Sequence, residues 1–172
     1  MKICITCSSG GHLTQALAVL EAFEGEDYFL VVHNFPSIKK SKFEGYGFSK
    51  VYRLRVLFNY NLPLKILPKF KLLLGCYITI FFNIFEIIFI FLKERPDIIF
   101  STGAEIAIPM FYLGKILFKT KLIFLESLTR IEDISGTGKV VMPIADLFLV
   151  QWLTLKEKYK NQNKILYKGS LV

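Results

Sequence analysis

Residues 2–12, KICITC followed by SSGGH, place a polar, glycine-rich turn directly after an apolar run. Short runs of this kind, rich in apolar and β-branched residues, are typical of buried strands. The next residues, LTQALAVLEAF at 13–23, have the apolar spacing of an amphipathic helix. A strand, a tight turn and a helix predict the first unit of a parallel α/β sheet, whose loops open at the carboxyl edge.

The rest of the chain alternates short β-rich runs with longer helical ones. This alternation predicts the α/β class, with a Rossmann-like parallel sheet and helices on both faces. The 172 residues suit one domain, 1–172, because single cores commonly run to about 100–200 residues. The predicted strands lie near 2–7, 28–33, 48–54, 97–102, 121–126, 146–150 and 164–167, and the predicted helices near 12–24, 37–45, 70–94, 105–118, 137–143 and 154–160.

The three cysteines, Cys4, Cys7 and Cys76, are an odd number without a framework spacing, which suits a reducing compartment. Cys4 and Cys7 lie along one predicted strand, where three steps of about 3.3 Å separate their Cα atoms. A disulfide needs about 4.4–6.8 Å between Cα atoms, so we expect both thiols to pack in the core. The N-terminal run is too short for a signal peptide, which predicts a cytoplasmic location.

The formal charge of +8 is concentrated in one apolar segment, 39–95. That segment holds eleven Lys or Arg against three Glu, and the rest of the chain balances eleven basic residues against eleven acidic ones. Its basic residues flank Phe, Leu and Ile, and no nucleic-acid motif accompanies them. The pattern favours an anionic membrane surface over a merely solvated basic face, and both over nucleic acid.

The stretch at 72–92, LLLGCYITIFFNIFEIIFIFL, is long enough to cross a bilayer, which takes about 20 apolar residues. Thr79, Asn83 and Glu86 nevertheless line one face of a helix, on the same stripe as Gly75. Three interpretations stay open: a buried crossover helix, a helix in the membrane interface and a true span. We expect the interfacial helix, with the membrane contacted by Lys65, Lys69, Lys71, Phe81, Phe82, Phe85, Phe89, Lys93 and Arg95.

The SSGGH turn itself has the features of an anion site. Glycines admit a ligand close to the backbone, and a helix N-terminus offers N–H donors and a favourable dipole. We expect Ser8, Ser9, Gly10 and Gly11 to bind a phosphate or diphosphate, although a purely structural turn is the alternative. The turn has neither P-loop nor dinucleotide-binding spacing. His12 is a candidate base or donor, or else a residue satisfied by the backbone.

Two later loops should open at the same edge of the sheet. The first, at 101–105, contributes Thr102 and Gly103 to the predicted anion site. The second begins with Glu126 at a strand end and adds Ser127 and Arg130. Glu126 is a second candidate base, and its alternative roles are to cap a helix, to form an ion pair or to orient the acceptor or His12. No cluster has metal-ligand spacing, so we expect no metal.

Five segments taken together resemble a known family. In chain order they are SSGGH, PDIIFSTG, FLESLTRIEDISGTGK, ADLFLVQW and YKGSLV. They resemble the acceptor-side subunits of two-component GT-B glycosyltransferases: subunit fourteen of the asparagine-linked glycosylation series and the PssD-like polysaccharide biosynthesis proteins of bacteria. The resemblance covers essentially the whole chain. It implies a fold equivalent to the N-terminal half of a GT-B glycosyltransferase.

The resemblance also implies a function. The chain would be a hexosyltransferase subunit at the cytoplasmic face of the membrane, peripheral or monotopic, binding a lipid-linked acceptor and active only with its partner. A separate donor-binding subunit would bind the nucleotide-sugar, a UDP-linked co-substrate, and no cofactor is expected. The alternative is a non-catalytic scaffold that recruits a catalytic partner to the membrane. The predicted partner interface comprises Gln151, Trp152, Gly169, Leu171 and Val172.

Overall fold

Seven parallel strands form the single sheet of the computed structural model, which describes residues 1–34, 43–55 and 69–171, without the side chains of 69–77 and 80. The strands are β1 Lys2–Cys7, β2 Asp27–His33, β3 Val51–Leu54, β4 Ile98–Ser101, β5 Lys121–Leu125, β6 Leu147–Val150 and β7 Ile165–Tyr167. Their order is β3-β2-β1-β4-β5-β6-β7. The order reverses beside β1, where ligands bind in open α/β sheets. The predicted α/β class and all seven predicted strands are confirmed.

Helices connect the strands. They are α1 Gly11–Ala18, α2 Lys69–Glu94, α3 Ala107–Phe118, α4 Gly136–Val141 and α5 Leu153–Lys158. The helix predicted near 12–24 leaves α geometry at Val19 and continues as a 3-10 turn at Leu20–Phe23. The helix predicted near 37–45 falls largely outside the described residues, and the other predicted helices are confirmed to within two residues at each end.

Helices pack against both faces of the sheet. One face packs against α2, α3 and α4, and its core is rich in fully buried aromatic rings, among them Phe91, Phe124 and Phe148. The rings of Phe124 and Phe148 stack with centroids 5.0 Å apart. The other face packs against α1, with Leu13 at its centre. Burial on both faces explains why the strands are almost continuously apolar rather than alternating.

The two N-terminal cysteines belong to this core. Cys4 and Cys7 are buried free thiols on opposite faces of β1, as predicted from their strand spacing. Burial raises the pKa of the Cys7 thiol to about 12 and raises that of Cys4 as well, so both stay protonated. The side chain of Cys76 lies outside the described part of the chain.

Helix α2 turns its polar stripe inward and its aromatic residues outward. Thr79 and Asn83 are buried, and Asn83 Nδ2 donates to the carbonyl oxygen of Arg55 at 3.0 Å. Glu86 pairs with Arg55 Nε at 3.1 Å. The exposed apolar side chains are Ile78, Phe81, Phe82, Phe85, Phe89 and Leu92. A fully buried crossover helix is therefore wrong for α2, whose outer face is exposed and apolar.

In the part of the chain that the structure describes, no helix is both long enough and apolar enough to cross a bilayer. Two of the cationic residues expected at the membrane, Lys93 and Arg95, are exposed at the end of α2. Lys65 lies outside the described residues, and the structure describes only the backbone of Lys69 and Lys71.

The C-terminal end of α2 is fixed to the amino edge of the sheet by Glu94, whose side chain is 1% exposed. Its carboxylate pairs with Lys2 Nζ at 2.6 Å and Lys50 Nζ at 2.8 Å, and it accepts a hydrogen bond from the Tyr52 hydroxyl. Burial alone would raise the pKa of Glu94, but these three donors outweigh it and lower the pKa to about 2. Burial and the adjacent carboxylate raise the pKa of Tyr52 to about 12.

Candidate active site at the carboxyl edge

The loops that follow β1 and β4 meet through His12 and Thr102. His12 Nδ1 lies 2.7 Å from the carbonyl oxygen of Thr102, and the Thr102 hydroxyl donates to the carbonyl oxygen of His12 at 2.7 Å. A carbonyl oxygen only accepts, so Nδ1 carries the proton in neutral His12. Nε2 then holds a lone pair, as a general base requires. Because Thr102 is fully buried, it holds His12 rather than lining the cleft as predicted.

The start of α1 is open. Gly10 has φ 82, a left-handed conformation that favours glycine, and no side chain caps the helix. A Cβ at Gly10 or Gly11 would meet nothing within 4 Å, and both residues are exposed. The first amides of a helix have no intrahelical acceptor. Ser8 and Ser9 are half-buried beside them. Anion binding at this turn stays a prediction.

Gly103 lets the second loop pack against the His12 ring. Its φ is 118, and a Cβ there would lie 2.7 Å from His12 Cε1, so any other residue would strain the backbone and displace the His12 ring. The Ser101 hydroxyl accepts the Gly103 N–H at 3.1 Å. Gly103 is buried against the His12 ring, so it positions that ring rather than contacting an anion as predicted.

Glu126, the second candidate base, is enclosed by the loop that follows it. Its side chain is buried, with Oε1 accepting the Ser127 N–H at 2.8 Å and Oε2 accepting the N–H and hydroxyl of Ser135 at 2.9 and 3.0 Å. Ser135 in turn caps α4 by accepting the Gly138 N–H at 3.0 Å. Both carboxylate oxygens are thus occupied by the protein, which favours a positioning role for Glu126 over that of a base.

The loop after Glu126 carries the two other predicted anion-binding residues. Ser127 is nearly buried, and its hydroxyl lies 3.0 Å from that of Thr129, so it stabilises the loop from within. Arg130 is exposed, and its backbone N–H donates to the Ser127 carbonyl oxygen at 2.9 Å. Of the two, Arg130 alone presents a cationic side chain on the surface of this edge.

Two glutamines form a network beneath the site. Gln151 is 2% exposed, and its Nε2 donates to Gln15 Oε1 at 2.6 Å and to the Glu126 carbonyl oxygen at 2.9 Å. Its Oε1 accepts the Leu171 N–H at 3.1 Å. Gln15 Oε1 also accepts the Leu128 N–H at 3.0 Å. The Gln151 side chain is thus buried and joins three segments of this chain, while the partner contact predicted at this residue stays a prediction.

Gln15 is the site residue that sequence reasoning missed. It lies in α1, and its Nε2 donates back to the Gly11 carbonyl oxygen at 3.3 Å. The available signal was a polar residue placed three positions after His12, on a helix whose other inward positions are apolar. That signal is weak, since such residues are usually solvated.

Helix α5 holds the loop at 128–135 in place. Trp152 Nε1 donates to the Leu128 carbonyl oxygen at 2.6 Å, and the Thr154 hydroxyl donates to that of Ile131 at 2.8 Å. Trp152 is half-buried, so the residue is partly accessible, and its predicted contact with a partner stays a prediction. The loop is thus held on both sides of Arg130, at Leu128 and at Ile131.

An apolar groove of about 280 Å³ lies on the α1 face of the sheet. Its lining includes Phe23, Ile123, Leu147, Leu149 and Leu171. Ile123, Leu147 and Leu149 are half-buried strand residues, so this part of the sheet face is incompletely covered by the described chain. Gly169 and Leu171, both predicted to contact a partner, border the groove, and Val172 lies outside the described residues.

Within the described ranges, no three His, Cys, Asp or Glu side chains are grouped as a metal site would require. The absence of a metal from the reaction stays a prediction.

The parallel sheet, its strand order and the polar loops at its carboxyl edge define a Rossmann-like half of the GT-B type. Among solved structures, MurG of Acinetobacter baumannii superposes with a TM-score of 0.71 at 13% identity, over 97% of this chain and 45% of that one. A UDP-GlcNAc 2-epimerase of Methanocaldococcus jannaschii, in complex with UDP-GlcNAc and UDP, gives 0.73 at 16% identity, over 99% and 47%. The chain thus spans a little under half the length of these structures.

Residues 3–170 match the family described as "Oligosaccharide biosynthesis protein Alg14 like", and the chain belongs to that family. The UDP-N-acetylglucosamine transferase subunit alg14 of Schizosaccharomyces pombe is 31% identical over 91% of this chain and 78% of the relative. The corresponding subunit of Mus musculus is 26% identical over 100% of this chain and 83% of the relative. The family resemblance seen in the sequence segments is confirmed, and with it membership among glycosyltransferase subunits of glycan biosynthesis.

Proposed function

We propose that this protein is the acceptor-binding subunit of a two-component glycosyltransferase at the cytoplasmic face of a membrane. With a donor-binding partner, it transfers a sugar from a nucleotide-sugar to a sugar carried on a lipid diphosphate. The observation that carries the proposal is the position of His12 at an uncapped, open helix N-terminus, with its Nδ1 held by the Thr102 carbonyl oxygen. A base and an anion site lie together there, as a diphosphate-linked acceptor requires.

In this mechanism the acceptor diphosphate binds the backbone amides at the start of α1, where the helix dipole favours negative charge. Arg130, on the neighbouring loop, supplies a positive charge for the same anion. The acceptor hydroxyl oxygen attacks the anomeric carbon of the donor sugar, and the bond from that carbon to the nucleotide diphosphate breaks. His12 Nε2 takes the hydroxyl proton, which requires about 2.6–3.2 Å between the two heavy atoms.

The names of the relatives support the proposed donor and the proposed partner. Two of them are named UDP-N-acetylglucosamine transferase subunits, which supports a UDP-linked N-acetylglucosamine donor and a second chain. The groove between Phe23 and Leu171 offers this partner an apolar surface bordered by the exposed Gly169.

Membrane association is supported by the outward face of α2. Phe81, Phe82, Phe85 and Phe89 are each at least 58% exposed, an arrangement that water disfavours and a membrane interface accepts. The exposed Lys93 at the end of the helix suits anionic headgroups. An acceptor with a lipid tail would then remain in the bilayer while its diphosphate reaches the cleft.

A transfer assay tests the proposal against a non-catalytic scaffold. The protein is assayed alone and with its partner, using UDP-N-acetylglucosamine and a lipid-diphosphate-linked sugar. We expect activity only with the partner and a loss of order 10²-fold or more for His12→Ala in the complex. Lys160→Ala, an exposed change two residues after the end of α5, is the control. Unchanged turnover of assembled His12→Ala would favour the scaffold.

A further inference from the structure

A second histidine lies at the carboxyl edge, outside the site described so far. His33 ends β2 and is 2% exposed, and its Nδ1 lies 3.3 Å from Oε1 of Glu105. Glu105 follows β4, and β1 lies between those two strands in the sheet. The contact therefore bridges two strands that are not neighbours, directly across the end of the strand that leads into the SSGGH turn.

The turn before Glu105 has an unfavourable backbone conformation. Gly103 has φ 118 and Ala104 has φ 73, so two consecutive residues are in the left-handed region. For Ala104, which has a Cβ, this conformation is sterically unfavourable, and such residues persist only where surrounding contacts hold them. On one side of the turn Thr102 is bonded to His12, and on the other side Glu105 contacts His33.

We propose that Glu105 is a positioning residue for His12. By contacting His33, it keeps the turn at 103–104 in its left-handed conformation, and so keeps the Thr102 carbonyl oxygen aimed at His12 Nδ1. The tautomer of a neutral histidine is set by the hydrogen bond that its other nitrogen makes. Glu105 thus helps to leave Nε2 unprotonated, the state in which His12 can accept a proton.

The inference deepens the proposed function and rests on it for its catalytic meaning. The effect of Glu105 on the His12 tautomer does not rest on the proposed function, because the tautomer can be measured in this protein without a partner. Nitrogen-15 NMR of the imidazole distinguishes a protonated Nδ1 from a protonated Nε2. We expect His12 of the unaltered protein to show a protonated Nδ1 at a pH at which the ring is neutral.

In Glu105→Gln, which keeps the size of the side chain but loses its charge, we expect a mixture of His12 tautomers. His33→Asn removes the other half of the contact and should shift the same signals in the same direction. Glu157→Gln, an equal charge change on exposed α5, is the control. Two variants that are folded by near-ultraviolet circular dichroism and have an unchanged His12 tautomer would overturn the inference.

Ala104→Gly gives an independent readout that a general loss of stability would not produce. Glycine adopts positive φ without the steric cost that alanine bears, so the turn then depends less on its anchor. We expect Glu105→Gln to change the His12 tautomer less in the Ala104→Gly background than in the original one. Equal effects in the two backgrounds would contradict the role of the strained turn.

The activity of the assembled enzyme separates the two proposals. We expect Glu105→Gln to lower kcat by about tenfold with little change in KM, because fewer molecules hold the competent tautomer. A shifted tautomer with unchanged kcat would leave the positioning role standing and count against His12 as the base.

Discussion

At the scale of single residues, the choice of catalytic base depends on which side-chain atoms already make hydrogen bonds within the protein. His12 and Glu126 are both candidate bases on chemistry alone, and the hydrogen bonds separate them. The Nδ1 atom of His12 is hydrogen-bonded to the Thr102 carbonyl oxygen, which leaves Nε2 to accept a proton. Both carboxylate oxygens of Glu126, in contrast, already accept hydrogen bonds from Ser127 and Ser135. Ser135 lies nine positions after Glu126, and the course of the intervening loop is not contained in the sequence pattern.

Glu126→Gln should therefore lower the free energy of unfolding. Hydrogen bonds to a charged group are worth about 1.5–3 kcal/mol each, and the substitution leaves three donors with a weaker, mismatched acceptor. We expect a loss of about 2 kcal/mol in the free energy of unfolding, measured with urea. Glu157→Gln, which is exposed, should change it little. A stable Glu126→Gln protein with transfer reduced 10²-fold or more would instead identify Glu126 as the base.

At the scale of elements, α2 shows what the sequence could and could not predict. The spacing of Thr79, Asn83 and Glu86 correctly predicted a polar stripe on one side of a long helix. Hydropathy did not predict which side of the helix would face the sheet, because a helix has the same periodicity whether its polar stripe faces inward or outward. The buried hydrogen bond from Asn83 to the Arg55 carbonyl oxygen settles the orientation. The outward face is consequently the apolar one.

The other end of α2 makes a pH-dependent contribution to stability through Glu94. Its pKa is about 2 when folded, below its ordinary value of 4.5, so the unfolded chain takes up this proton more readily. The contribution is fully present above about pH 4.5 and is lost as the pH falls toward about 2. We expect the difference in unfolding free energy between the original protein and Glu94→Gln to shrink over that interval. Urea titrations at several pH values measure it, and a constant difference would contradict the assignment.

Phe85, which is 69% exposed, tests the outward face of α2. Burying an aromatic side chain is worth about 1.5–3 kcal/mol, so Phe85→Asp should weaken binding to anionic vesicles by about tenfold or more. Leu153→Asp places the same charge on exposed α5 and is the matched control. Flotation with phosphatidylglycerol-containing vesicles measures both. Equal binding by the two variants would count against α2 as the membrane surface.

At the scale of the whole molecule, the alternation of strands and helices predicted six of the seven strands to within one residue at each end, because most strand residues are apolar and helices pack on both faces of the sheet. The third strand, β3, begins three residues later than predicted. The convergence of the loops at one edge also followed, since it is a property of parallel sheets. The contacts among those loops did not follow. Gln15 and Gln151 are 136 positions apart, and Glu105 reaches His33 across an intervening strand. Such contacts depend on the direction in which each loop leaves the sheet, and the local sequence pattern does not determine that direction.

The central claim is that the open amides at the start of α1 bind the diphosphate of a lipid-linked acceptor. The most direct test is a nitrogen-15 NMR titration of the protein with a short-chain prenyl diphosphate carrying N-acetylglucosamine. We expect saturable shifts that are largest for the amides of Gly10, Gly11 and His12. Saturable binding that moves other resonances and leaves these three amides unchanged would contradict the account.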